Sequence, residues 1–116
     1  MAYRRRIQKI AQLLQEETAK MLDREAEFPE GTLVTVTRVS VSEDGLYADI
    51  FLSVLGGDAK HILAITQKSV YHIQQILNRR LRMRPVPKIR FTIDEEEIKR
   101  QGVEKSLAEL KRDGGI

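Results

Sequence analysis

Leu46-Tyr47-Ala48-Asp49-Ile50-Phe51-Leu52-Ser53-Val54-Leu55 decides the fold. Leu46, Ala48, Ile50, Leu52 and Val54 fall on one parity, the period-two signature of a strand with one buried face. Just before it, Ser42-Glu43-Asp44-Gly45 supplies an Asp-Gly pair, whose glycine takes the positive φ that tight hairpins require. Upstream of that turn, residues 33–41 are rich in Val and Thr, as strands prefer. Val34 and Val36 share one parity and Val39 and Val41 the other, so a bulge or break is expected near Thr37-Arg38. These segments together predict an antiparallel hairpin.

Toward the N-terminus, residues 4–23 read as a helix. Ile7, Ile10, Ala11, Leu14, Thr18, Met21 and Leu22 recur at spacings of three and four, while Gln8, Lys9, Gln12, Gln15, Glu16 and Lys20 make the polar face. Leu13 falls off the stripe, at an edge of the core. Phe28-Pro29-Glu30-Gly31 ends the helix and starts a turn. Beyond the hairpin, Gly56-Gly57 breaks the strand and Asp58 is placed to cap a helix. Residues 59–83 carry its apolar stripe, Ile62, Ile65, Ser69, Ile73, Ile76, Leu77 and Leu81. A helix of roughly 25 residues is about twice the usual length, so an interruption is expected at residues 66–71, where Ser and β-branched residues weaken it. Pro85 and Pro87 forbid continuation. Residues 88–93 then alternate, with Ile89, Phe91 and Ile93 inward and Lys88, Arg90 and Thr92 outward. Asp94-Glu95-Glu96-Glu97 reads as a capping box with a solvated acidic turn, opening a peripheral helix with a thin stripe of Ile98, Val103, Leu107 and Leu110. The expected organisation is an α+β binding domain over residues 1–93, then a C-terminal helix and flexible tail over residues 94–116.

The length of 116 residues suits one domain, and 41% apolar with 32% charged residues suits a folded one. There is no cysteine, which excludes disulfides and thiolate metal sites. The basic N-terminus leads into no apolar run, so no signal peptide is expected. No apolar stretch approaches membrane-spanning length, which makes a cytoplasmic protein the default. The net charge of +3 hides a strong segregation. Residues 59–93 hold eight basic and no acidic groups, whereas residues 21–58 hold two basic and eight acidic ones. Such a local positive field steers polyanions, unless carboxylates from elsewhere fold back over it.

Catalytic constellations are scarce. His61 and His72 lie 11 residues apart, some 16 Å along an unbroken helix, too far to share a metal. No Cys-His pair, nucleophile elbow or P-loop occurs, and neither metal nor cofactor is expected. The informative cluster is basic: Arg79, Arg80, Arg82 and Arg84, then outward-facing Lys88 and Arg90. The helix dipole accounts for one or two cations at a C-terminus, not for four arginines in six positions. Arginine's planar fork matches phosphate oxygens and its plane stacks on bases. Arg4, Arg5, Arg6 and Lys9 form a second basic group, expected at the other end of the domain. Lys68, Ser69 and Tyr71 are weaker candidates at the helix junction. Aromatics make up only 5%, with Tyr3, Tyr47 and Tyr71 the exposed candidates, which argues for phosphate and shape recognition over base stacking on a sheet.

The element order is compatible with a KH-like domain of the second topological kind. The chain also resembles the ribosome-binding factor A family. The resemblance runs through Ile10-Ala11-Gln12-Leu13-Leu14-Gln15-Glu16-Glu17, Thr35-Val36-Thr37-Arg38-Val39-Ser40-Val41-Ser42, Leu46 to Val54, and Leu81-Arg82-Met83-Arg84-Pro85-Val86-Pro87-Lys88-Ile89-Arg90-Phe91. It implies a three-stranded sheet packed on helices and a cytoplasmic, non-enzymatic, monomeric factor. It further implies binding to the 30S subunit, contact with 16S rRNA and a part in late subunit maturation. A stress or hibernation factor on finished 30S subunits is the alternative. The family's kinked Ala-x-Gly helix junction falls on Ser69-Val70-Tyr71, which has neither the Ala nor the Gly. A tyrosine takes positive φ only at a cost, so a softer bend is expected.

Overall fold

A computed structural model describes the backbone of residues 2–96 and the side chains of residues 4–96. The expected C-terminal helix lies, beyond Glu96, outside the described residues, as does the side chain of Tyr3. The element order is α1 (Ala2–Glu25), β1 (Leu33–Val41), β2 (Tyr47–Leu55), α2 (Ala59–Arg80) and β3 (Lys88–Ile93). The strands form one sheet in the order β1-β2-β3, with β2 antiparallel to β1 and parallel to β3. The parallel pair needs a long crossover, and α2 provides it.

The hairpin forms as its pattern requires. Gly45 has φ 74°, its N–H donates to Ser42 O, and the Ser42 N–H donates to Tyr47 O. Leu46 belongs to the turn, because the Asp44 carboxylate holds its N–H at 3.0 Å; its side chain is exposed rather than on the core face. The register runs Val36↔Leu52 and then Arg38↔Phe51, so Thr37 is the extra residue of the expected bulge. One reversal of parity lets Val36 and, past the bulge, Val39 and Val41 face the helices. Gln15, expected in solvent, instead lies within hydrogen-bonding reach of the Val36 and Thr37 carbonyls (3.3 and 3.4 Å). A bulge frees backbone acceptors, and this side chain satisfies them.

Both helices pack on the face carrying Ala48, Ile50, Leu52, Ile89 and Phe91. Leu14, Ile73 and Leu77 are fully buried against it. Two buried hydroxyls return their protons to the helix, Thr18 to Leu14 O and Thr66 to Leu63 O at 2.8 Å. Asp58 caps α2 by accepting from Lys60 N at 3.1 Å.

Two expectations about α2 do not hold. No break occurs at residues 66–71: α2 is continuous through Ser69-Val70-Tyr71. No Gly or Pro interrupts this segment, and the Thr66 hydroxyl donates back to Leu63 O within the helix. The helix also ends at Arg80 rather than Met83. Leu81 turns extended (ψ 136°), keeps its N–H on Leu77 O and buries its side chain in the core. The following segment, with a cis Arg84–Pro85 bond and a buried Pro87, carries the chain from α2 into β3.

Candidate nucleic-acid interface

The α2–β3 corner is held by one side chain. Gln74 accepts from Ile89 N at 2.8 Å and donates to Pro87 O and Asn78 Oδ1, both at 3.1 Å. Among the described residues β3 is an edge strand, and Gln74 satisfies a donor that no further strand there takes up. Arg84 braces the same loop, its Nη1 donating to Leu81 O (2.9 Å) and Met83 O (2.7 Å). Arg79, Arg80, Arg82, Arg84, Lys88 and Arg90 are all exposed around this corner.

Their charge is not all free. Arg80 meets Glu17 of α1 at 3.5 Å, and Arg90 Nε meets Asp49 of β2 at 3.0 Å. Carboxylates therefore fold back in part, as the charge segregation left open. Arg79, Arg82 and Lys88 have no ion pair among the described residues.

Arg4, Arg5, Arg6 and Lys9 are exposed on the first turns of α1, but they are not at the far end of the domain. Arg6 and Arg84 line one cleft of about 150 Å³ with Ile7, Met83 and Pro85, beside Glu43 and Asp44 of the hairpin turn. Helix α1 antedates the corner in sequence by some 75 residues, yet the sheet brings its start alongside. Neighbouring hollows set Arg4 and Gln8 beside Ile7 and Glu43, and Asn78 and Val86 beside Arg84 and Pro85. The two basic groups thus meet at Arg6 and Arg84. Lys68, Ser69 and Tyr71 are not part of that meeting point, since Lys68 precedes Arg79 by 11 residues, about 16 Å along α2. Tyr71 is 74% exposed.

Asp94 is buried (4% exposed), not solvated as expected. Its Oδ2 accepts from the Thr37 hydroxyl at 2.6 Å and meets Arg38 Nε at 3.5 Å. Glu95 and Glu96 are exposed. Asp44 is held below the usual carboxylate range by the Ser42 hydroxyl and the Leu46 N–H. His61 and His72 are exposed, and His72 Nε2 lies 3.0 Å from Glu25. Among the described residues there is no cluster of three or more metal-ligating side chains, and no helix is long and apolar enough to cross a membrane. Sequence reasoning missed Gln74, Arg38 and Asp49, whose roles depend on contacts between elements.

A mixed three-stranded sheet backed on one face by two helices, with cations ringing the corner where helix passes into strand, places the molecule among small α+β domains of KH-like fold. The sequence profile described as ribosome-binding factor A matches residues 6–107, and the chain belongs to that family. Ribosome-binding factor A of Pseudomonas paraeruginosa is 31% identical over 118 residues, covering 94% of this chain and 91% of the relative. That of Desulforamulus reducens is 33% identical over 91 residues, covering 77% and 76%. The crystal structure of ribosome-binding factor A from Thermus thermophilus superposes with a TM-score of 0.67 at 23% identity, over 75% of this chain and 93% of that one. A Thermus thermophilus ribosome-binding factor A model fitted into a cryo-EM map of its complex with the 30S subunit is similar at a TM-score of 0.61 and 24% identity, over 71% and 88%.

Proposed function

We propose that this chain binds the 30S ribosomal subunit during its assembly, touching 16S rRNA without catalysing a reaction on it. The observation that carries the reading is the set Arg79, Arg82 and Lys88, exposed and without an ion pair among the described residues, on a corner fixed by Gln74. Cations with no internal partner keep their full attraction for phosphate, and a rigid corner spares the entropy of ordering them. Arg80, Arg84 and Arg90 sit among them, each with donors left over from its internal bond. Arg4, Arg5, Arg6 and Lys9 extend the same surface, and Lys68, Ser69 and Tyr71 supply an outlying contact. Membership of a family named for ribosome binding, and a similar fold placed on the 30S subunit, support the target. We infer a cytoplasmic, monomeric factor needing no cofactor, with residues 1–93 as the binding unit and residues 94–116 as an appendage to it.

The test is binding to 30S particles across a salt series, with wild type and an Arg79→Glu/Arg82→Glu variant. Each lost phosphate contact removes up to about 0.9 from the slope of log affinity against log salt. A slope unchanged in the variant refutes the arginine assignment. Cosedimentation with assembly precursors in preference to finished subunits is expected; the reverse preference refutes the assembly role.

A further inference from the structure

The sheet face turned away from the helices carries a repeated arrangement. On β2, Tyr47 and Phe51 point to this face, four residues or about 13 Å apart. Each lies beside an arginine from a neighbouring strand. Arg38 of β1 covers the Phe51 ring at 3.8 Å from its centroid, and Arg90 of β3 lies over Tyr47 at 5.6 Å. Each arginine is oriented through Nε by a carboxylate, Arg38 by Asp94 and Arg90 by Asp49. Among the described residues, no hydrogen bond or ion pair engages the terminal amino groups of either. Tyr47 is 46% exposed, and the Arg38 and Arg90 side chains are 49% and 63% exposed.

The surroundings suit one kind of occupant. Lys88 stands directly across from Tyr47 and has no ion pair among the described residues, while Ser40 and Thr35 offer hydroxyls along β1. The Lys88 N–H bonds Leu46 O at 2.8 Å, so this end of the face is continuous with the α2–β3 corner. Low aromatic content made a stacking surface improbable from composition alone, but two aromatics suffice when both stand on the central strand. A guanidinium held over a ring leaves its far side for a second stacking partner.

We propose that this face is a platform for an unpaired, single-stranded stretch of RNA. One base stacks on Tyr47, another on the outer face of the Arg38 guanidinium, and Arg90 and Lys88 hold the phosphates. The platform rests on the RNA-binding reading and adds to it a place where bases, not only phosphates, are held.

The experiment measures binding of the full chain to an end-labelled oligouridylate of roughly eight nucleotides by fluorescence anisotropy. Tyr47→Ala is expected to weaken binding about five- to a hundredfold without changing the salt slope, because stacking releases no counterions. Tyr47→Phe keeps the ring and stays within about twofold of wild type. Tyr47→Thr, a good strand former, repeats the alanine loss and separates it from misfolding. The chain has no tryptophan, so in a Tyr3→Phe/Tyr71→Phe background the emission comes from Tyr47 alone and is quenched by the oligonucleotide. The platform is overturned if Tyr47→Ala binds as wild type does while Arg82→Glu weakens binding, which leaves the RNA reading intact. It is equally overturned if wild type ignores the oligonucleotide but binds 30S particles with an arginine-dependent salt slope. A Tyr47→Ala loss on 30S particles with none on the oligonucleotide assigns the face to a protein partner and also overturns it.

Discussion

Replacing Gln74 by alanine tests whether the α2–β3 corner is held as described. The substitution removes the acceptor of the Ile89 N–H and the donor to Pro87 O, in residues that are 3% and under 2% exposed. A buried N–H left unpaired costs about 1–3 kcal/mol, and the second bond about 1 kcal/mol more. Gln74 is itself only half-buried, so water reaches part of the gap and the sum settles near 2 kcal/mol. A domain of this size loses roughly 4–8 °C per kcal/mol, giving a Tm fall of about 8–16 °C by circular dichroism. Gln74→Glu is the informative companion. Its carboxylate still accepts from Ile89 but sets a second acceptor against the Pro87 and Asn78 oxygens. Ionisation is therefore disfavoured in the folded state and the folded pKa rises above the unfolded one. The variant is weakest at neutral pH and regains stability as pH falls toward the unfolded glutamate value of about 4.3, where a protonated carboxyl donates in place of the amide. Amide exchange at Ile89, followed by NMR, should quicken in Gln74→Ala. A Tm within about 2 °C of wild type, or unchanged protection at Ile89, refutes the clamp.

Three further outcomes follow from the same contacts. Gly45 and Gly56 both have positive φ, but a Cβ at Gly45 meets open space whereas one at Gly56 collides with the Gly31 carbonyl oxygen; Gly45→Ala should cost about 1 kcal/mol in urea unfolding and Gly56→Ala clearly more. Ser42→Ala should move the Asp44 carboxyl up toward its usual value in an NMR titration. Because the folded pKa is depressed, the stability Asp44 lends is present at neutral pH and lost as pH falls below about 4, and the variant should lack part of that acid dependence. Arg80→Ala and Arg82→Ala should both leave Tm nearly unchanged, since the Arg80–Glu17 pair is a surface one. On 30S particles, however, Arg82→Ala should flatten the salt slope by about one unit, and Arg80→Ala by less.

The sequence was most legible where one residue type answers to one local geometry. Alternation on β2, Asp-Gly in the turn and the double parity of the β1 valines located the hairpin and its bulge, because each reports on backbone within a few residues. The outward cations of β3 were likewise readable from period-two patterning. What stayed hidden depends on distant partners. Nothing near Asp94 announces that its carboxylate will be buried against Thr37, 57 residues earlier, instead of standing in a solvated turn. Likewise, nothing near Glu17 or Asp49 announces that they will draw charge from Arg80 and Arg90. The basic starts of α1 and of the α2–β3 corner looked like two patches because sequence distance was mistaken for separation, and the cleft between Arg6 and Arg84 joins them. Continuity of α2 through Ser69-Val70-Tyr71 was missed for a different reason: weak helix formers lower propensity without breaking a helix whose face is well packed.

Of the three described strands β3 is the last to be made, and it enters parallel to β2 after the whole crossover of α2. Until residue 93 has left the synthetic machinery, one edge of β2 has no partner, Gln74 has no amide to hold, and Lys88 and Arg90 have no strand to stand on. A chain cut short of β3 still carries the hairpin, much of the apolar stripe and the arginines of α1 and α2, but it has no finished corner on which to set them.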